Sequence, residues 1–168
     1  EEFRIVLEAK PENTPTPTRY FLALSLDEIG REEEAIAELK KILQQDPKNL
    51  SAFLYLGFVY SKLKKYDDAI AVYEEILSFE KEKPEIYMYL AETYRYKKDY
   101  SKSEEILRNA LSRFINNDDL NFNLAIILEK TNRYDEMVQY LKKAIEINPN
   151  HADALNYLGY SYADRGIN

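Results

Sequence analysis

A single histidine stands in the chain, His151, within Pro149-Asn150-His151-Ala152. An imidazole can act as a general base or metal ligand, but both tasks need partners, and one His excludes any site built on two. Its place just ahead of an apolar-periodic run suits a solvated or helix-capping turn residue. Carboxylates come in clusters, Glu32-Glu33-Glu34, Asp67-Asp68, Glu74-Glu75 and Glu104-Glu105. Paired carboxylates can divide acid and base work between them. These recur at similar phases of a longer pattern, at the starts or outer faces of helices, where they complement the helix dipole and meet water. Asn116-Asn117-Asp118-Asp119 has the composition of a calcium loop without its alternating ligands, central Gly or closing Glu. Serines have no His in phase with them, so no triad forms. Cys is absent, which removes thiolate nucleophiles, disulfides and Cys-based zinc sites. Four Gly leave almost no room for a phosphate-cradling loop. No enzyme, cofactor or metal site is expected.

The elements behind these residues belong to a chain of 168 residues, with 23 Lys and Arg against 30 Asp and Glu, a formal charge of -7. That balance disfavours nucleic acid and anionic membranes as partners, since both select clustered cations. Apolar residues make up 45%, enough for a packed core. The unusual counts are 15 Tyr and no Trp. Glu1 to Leu7 do not form a signal peptide, and no apolar run reaches membrane-spanning length. Without an initiating Met the chain reads as a piece of something longer, and the lack of Cys fits cytoplasm and periplasm equally.

A repeat organises the whole. The pairs Leu22-Ala23, Leu56-Gly57, Leu90-Ala91, Leu124-Ala125 and Leu158-Gly159 follow one another at a constant spacing of 34 residues. In phase with them come Leu26, Tyr60, Tyr94, Leu128 and Tyr162, then Ala35, Ala69, Ser103 and Met137, then Leu39, Tyr73, Leu107 and Leu141. Within a unit the apolar spacing is i, i+3, i+4, i+7, the mark of an amphipathic helix. Polar breaks at Gly30, Lys64-Lys65, Lys98-Asp99, Asn132-Arg133 and Gly166 divide each unit into two helices. Such a hairpin cannot bury its stripe alone, so neighbours must stack.

The pattern resembles the tetratricopeptide repeat, with its W-x2-L-G-x2-Y, A-x3-F and closing P. Here it reads Phe53-x2-Leu56-Gly57-x2-Tyr60, then Ala69-x3-Tyr73, with Pro47 and Pro149 closing two units. The resemblance implies an all-α, right-handed superhelical solenoid of stacked antiparallel helix pairs, about nine to ten helices. Residues 1–15 become the second helix of a preceding repeat plus a linker, with Phe3, Val6 and Leu7 inward; 16–49, 50–83, 84–117 and 118–151 become whole repeats, and 152–168 a fifth first helix. Arg19 and Asn121 stand where the family prefers a large aromatic, Ser103 and Met137 where it prefers Ala. The stretch from Phe114 to Leu120 is expected to pack less regularly and change the pitch.

In the family, five positions of each first helix line a concave groove. Carried over, these are Tyr20, Phe21, Leu24, Leu54, Tyr55, Phe58, Met88, Tyr89, Glu92, Phe122, Asn123, Ile126, Asn156, Tyr157 and Tyr160, with Asp27, Glu28, Lys62, Arg95, Tyr96, Lys130 and Asp164 further along. Nine tyrosines (60, 66, 73, 87, 94, 100, 134, 140 and 162) are read as structural and the other six as groove residues. A solvated groove would be polar, whereas this one is mostly aromatic, as interaction surfaces are. The clamp that chaperone-binding relatives use for a terminal carboxylate is absent, only Asn123 matching it. The ligand implied is an extended or helical peptide with aromatic or aliphatic anchors, and Glu92 is placed to favour a basic residue unless Arg95 pairs with it.

The first reading is therefore a non-enzymatic protein- or peptide-binding scaffold. The second is a self-assembly module, joined through the apolar sides of Val6, Leu7, Leu155, Leu158 and Tyr162.

Overall fold

A computed structural model describes residues 14–164. The reading of 1–15 as an earlier helix and linker, with Phe3, Val6 and Leu7 inward, lies almost wholly outside the described residues, and so do the apolar sides of Val6 and Leu7 offered for self-assembly. Among those described there are nine α-helices and no strand. They are α1 Thr16–Glu28, α2 Glu32–Gln45, α3 Leu50–Lys62, α4 Tyr66–Phe79, α5 Pro84–Tyr96, α6 Tyr100–Arg113, α7 Asp118–Lys130, α8 Tyr134–Ile147 and α9 Ala152–Asp164. No described helix is long and apolar enough to cross a membrane.

Local chemistry sets the helix ends. Asn49, Asp99 and Asn117 each accept a backbone N–H from the first turn of α3, α6 and α7, and Pro84 opens α5, where its missing N–H costs nothing. The first helix of each pair stops in a left-handed residue: Gly30 (φ 76°), Lys64 (59°), Lys98 (66°) and Asn132 (60°). The next N–H then reaches back to the last turn, as Lys65 N does to Tyr60 O at 2.9 Å. Two of these turns therefore use lysine where glycine or asparagine is the easier residue.

The chain divides into two compact units at Lys81/Glu82. In the first, α1 packs on α2, α2 on α3 and α3 on α4. Ala23, Leu39, Ile42, Ala52, Leu56, Val59, Tyr73 and Ile76 form its interior. The departures at its start have a reason: Arg19, in an aromatic's place, is buried and donates from Nη1 to Glu38 Oε2 at 2.8 Å, while Lys41 holds the other oxygen at 2.6 Å.

In the second unit α5 packs on α6, α6 on α7, α7 on α8 and α8 on α9. Ile86, Leu90, Leu107, Leu120, Leu124, Ile127, Leu128 and Leu141 fill it. Ser103 is fully buried and donates to Ala91 O at 2.7 Å, so its hydroxyl ties the two helices of its pair. Between α6 and α7, Asn117 accepts from Leu120 N at 2.7 Å and its carbonyl takes Asn121 Nδ2 at 2.7 Å. The stretch expected to be irregular is thus a capped turn that seats the buried Asn121.

Candidate functional site

The first-helix faces carry the aromatic residues, and each unit presents its own set. In the first unit Tyr20 and Tyr55 approach with ring centroids 6.0 Å apart, Tyr20 and Phe21 at 6.4 Å, and Tyr55 stacks on Phe58 at 5.6 Å. Phe21 is 54% exposed and Phe58 52%, whereas Tyr20, Leu24, Leu54 and Tyr55 are half-buried. The cluster is anchored from beneath. Tyr55 Oη donates to Asp27 Oδ2 at 2.9 Å, and Lys62 Nζ donates to Asp27 Oδ1 at 2.9 Å and approaches Glu32 at 3.2 Å. Burial, then the bond to Asp27, pushes the Tyr55 hydroxyl well above the ordinary tyrosine range. Tyr55 is consequently part anchor of the fold and part surface.

In the second unit the face runs over α5, α7 and α9. Asn123 Nδ2 donates to Asp119 O at 2.8 Å and sits 3.6 Å from Met88 Sδ. Phe122 meets Tyr157 edge-to-face at 5.9 Å. Tyr89 and Asn156 are exposed, Ile126 is half-buried, and Tyr160 is 77% exposed. Glu92 is matched by Arg95 at 3.0 Å, whose guanidinium also lies 4.4 Å from the Tyr96 ring centre. The basic-residue preference expected of Glu92 thus has an internal competitor. An open cleft of about 520 Å³ lies along α7 and α9, lined by Phe122, Glu129, Lys130, Asp153, Asn156, Tyr157, Tyr160 and Ser161. Burial would raise the Glu129 pKa, but Lys130 and the Tyr157 hydroxyl outweigh it and hold the carboxyl below the usual range. Tyr157 is shifted up by burial and by Glu129.

His151 has partners that the sequence did not assign. Its Nδ1 accepts Ala154 N–H at 3.3 Å, its ring lies 5.1 Å from Phe122, and Nε2 faces Asp119 Oδ1 at 3.4 Å. Oxygens of Asp118 and Asp119 and a ring nitrogen gather within 4.8 Å, a set that could hold a metal ion. The tautomer argues against one. With Nδ1 accepting from backbone, the proton sits on Nε2, which then has no lone pair to offer a cation. The arrangement caps α9. Asp118 is itself engaged by Asn148 Nδ2 at 2.6 Å, which lowers its pKa.

Three features were not foreseen: the Asp27–Tyr55–Lys62 bonds, the cleft's acidic wall, and a four-residue ion-pair network on the second helices. In that network Arg108 and Arg133 both reach Glu104 (2.7 and 2.8 Å) and Glu136 (3.3 and 2.7 Å). Tyr134, read as structural, is instead exposed, its hydroxyl 3.2 Å from Asn132 Oδ1. The side chain of Asp164 lies outside the described part.

Antiparallel helix pairs recurring every 34 residues, with aromatic first-helix faces, define a helical-repeat protein; helices begin at Thr16, Leu50, Pro84, Asp118 and Ala152. Family models of the tetratricopeptide repeat match residues 28–92, 84–114, 118–151 and 140–167. The chain belongs to the tetratricopeptide repeat family, and its fold and family indicate a protein-interaction repeat scaffold. A tetratricopeptide repeat protein from Parabacteroides merdae superposes with TM-score 0.80 at 17% identity, covering 98% of this chain and 65% of that one. A thermophilic repeat protein from Thermus thermophilus gives 0.73 at 19%, covering 96% and 87%. YrrB, described as a repeat protein with an unusual peptide-binding site, gives 0.65 at 23%, covering 99% and 85%. At these identities the likeness concerns the fold. A comparison with curated proteins found no match.

Proposed function

We propose that the chain is a non-enzymatic scaffold that binds a peptide or protein segment through aromatic and aliphatic anchors on its first-helix faces. One observation carries this: Phe21, Phe58, Tyr89 and Tyr160 stand out of the core on those faces. Within each unit, large exposed apolar side chains on the first-helix face mark an interaction surface, and rigid aromatic rings are its usual anchors. That YrrB carries a peptide-binding site on a similar fold supports the reading. Selectivity then comes from differential affinity among segments, without turnover.

Peptide-display selection tests it, with Phe58→Ala/Tyr89→Ala as counter-screen. Phe58 and Tyr89 suit this better than Tyr55, whose hydroxyl and ring also serve the fold. Peptides enriched on the wild type and lost on the folded variant are expected. No enrichment on the wild type would overturn the reading.

A second reading, association through the last helix, has its own support. Gly159 repeats the place of Gly57, yet among the described residues nothing lies within 4 Å of a Cβ built on it, whereas Gly57 is covered by Tyr73. Leu155 beside it is exposed. A mass that rises with concentration, and falls back in Leu155→Ser, is the expected signature; a constant monomer would exclude it.

A further inference from the structure

We propose that the cleft along α7 and α9 receives an arginine side chain of the bound segment, an assignment that rests on the scaffold reading above. The cleft's volume, about 520 Å³, falls in the range of small-ligand recesses. Its walls are the rings of Phe122, Tyr157 and Tyr160, and the faces of aromatic rings attract cations. Its charges are unequal. Glu129 is bound by Lys130 at 2.9 Å. Asp153 has no cation within ion-pair distance among the described residues, while Arg95, the other cation near Tyr157, is occupied by Glu92 at 3.0 Å. One carboxylate is therefore left over beside aromatic faces.

That combination selects among occupants. An anion would meet Asp153 and Glu129 against Lys130 alone. A wholly apolar side chain would cover Asp153 without satisfying it, which costs free energy. A guanidinium does both tasks: it is planar, stacks on a tyrosine ring, and carries five N–H donors for more than one carboxylate. Lysine's compact, strongly hydrated ammonium stacks less well.

The test is a residue-resolved NMR titration of the whole chain with N-acetyl-arginine amide. The neutral isostere N-acetyl-citrulline amide serves as control. Shifts centred on Asp153, Tyr157 and Tyr160 are expected, weakened about tenfold in affinity with citrulline, as loss of a cation–π contact and a half-exposed ion pair implies. Asp153→Asn, at an exposed position, should weaken arginine toward the citrulline level, the ring contact remaining, and leave citrulline binding unchanged, without unfolding the chain. Equal binding of the two probes, or shifts elsewhere on the surface, would overturn the assignment. Display peptides separate the two proposals. Aromatic peptides without arginine that bind wild type and Asp153→Asn alike would leave the scaffold reading standing and remove the arginine recess; no selected peptide at all would remove both.

Discussion

Tyr73 lays its ring over Gly57 so closely that a Cβ at Gly57 would lie 2.6 Å from the ring's Cζ. The ring is buried and cannot simply swing away. Gly57→Ala is therefore expected to destabilise by about 1–2 kcal/mol, the overpacking cost exceeding the gain in helix propensity. The same change at Gly159 meets no atom of the described residues within 4 Å and should be neutral or stabilise by up to about 1 kcal/mol. Urea unfolding of both variants checks the pair; a stabilised Gly57→Ala would mean the two helices separate at little cost.

Asp27 is the hub of the first unit's aromatic face, taking the Tyr55 hydroxyl and the Lys62 ammonium. Tyr55→Phe removes one neutral-to-charged hydrogen bond, and a loss of about 1–2 kcal/mol is expected. Asp27→Ala removes the acceptor for both and should cost more, about 2–3 kcal/mol. Chemical denaturation of the two variants at neutral pH measures the order, and an Asp27→Ala no worse than Tyr55→Phe would refute the hub.

Alkaline pH should weaken the fold through the same hydroxyl and through Tyr157. Both are raised in the folded state, first by burial and then by a carboxylate neighbour. In the unfolded chain a tyrosine releases its proton near pH 10. The folded chain binds more protons above that value, so stability is complete below it and falls as pH climbs beyond it. Tyr55→Phe/Tyr157→Phe should show a shallower alkaline decline. Stability followed by circular dichroism against pH gives the slopes, and parallel slopes would contradict the assignment.

Acid reverses the sign for Glu104. Burial opposes its ionisation, but hydrogen bonds from Arg108 and Arg133 outweigh it and lower its pKa. Its contribution is present above the unfolded carboxyl value, near 4.3, and disappears as pH falls through the depressed folded one. Glu104→Gln is expected to lose about 1 kcal/mol at pH 7 and nothing at pH low enough to protonate the native residue. A loss independent of pH would point to packing instead of charge.

His151→Ala should cost about 1 kcal/mol, the usual worth of a lost helix cap, and His151→Asn should restore most of it. Thermal melts of the two decide between a cap and a buried ring, since Asn replaces the acceptor for Ala154 N–H and not the contact with Phe122.

Repetition and apolar periodicity are properties of a one-dimensional string, and they determined much of this protein. Helix starts recur every 34 residues because the small residue, the left-handed break and the apolar stripe recur with them. Local rules read each of these within a turn of helix. The sequence also placed the aromatic residues on the first-helix faces, where Phe21, Phe58, Tyr89 and Tyr160 are exposed. What it could not read was which of them are tied down. Tyr55 to Asp27, Arg19 to Glu38, Arg133 to Glu104 and Tyr157 to Glu129 join residues 19 to 29 positions apart. Periodicity assigns a side chain to a face, whereas a hydrogen bond needs its partner within a few tenths of an ångström of the proper distance. Only stacked helices supply that: packing decided the tautomer of His151, the competitor of Glu92, and the carboxylate beside the aromatic cleft that no cation among the described residues reaches.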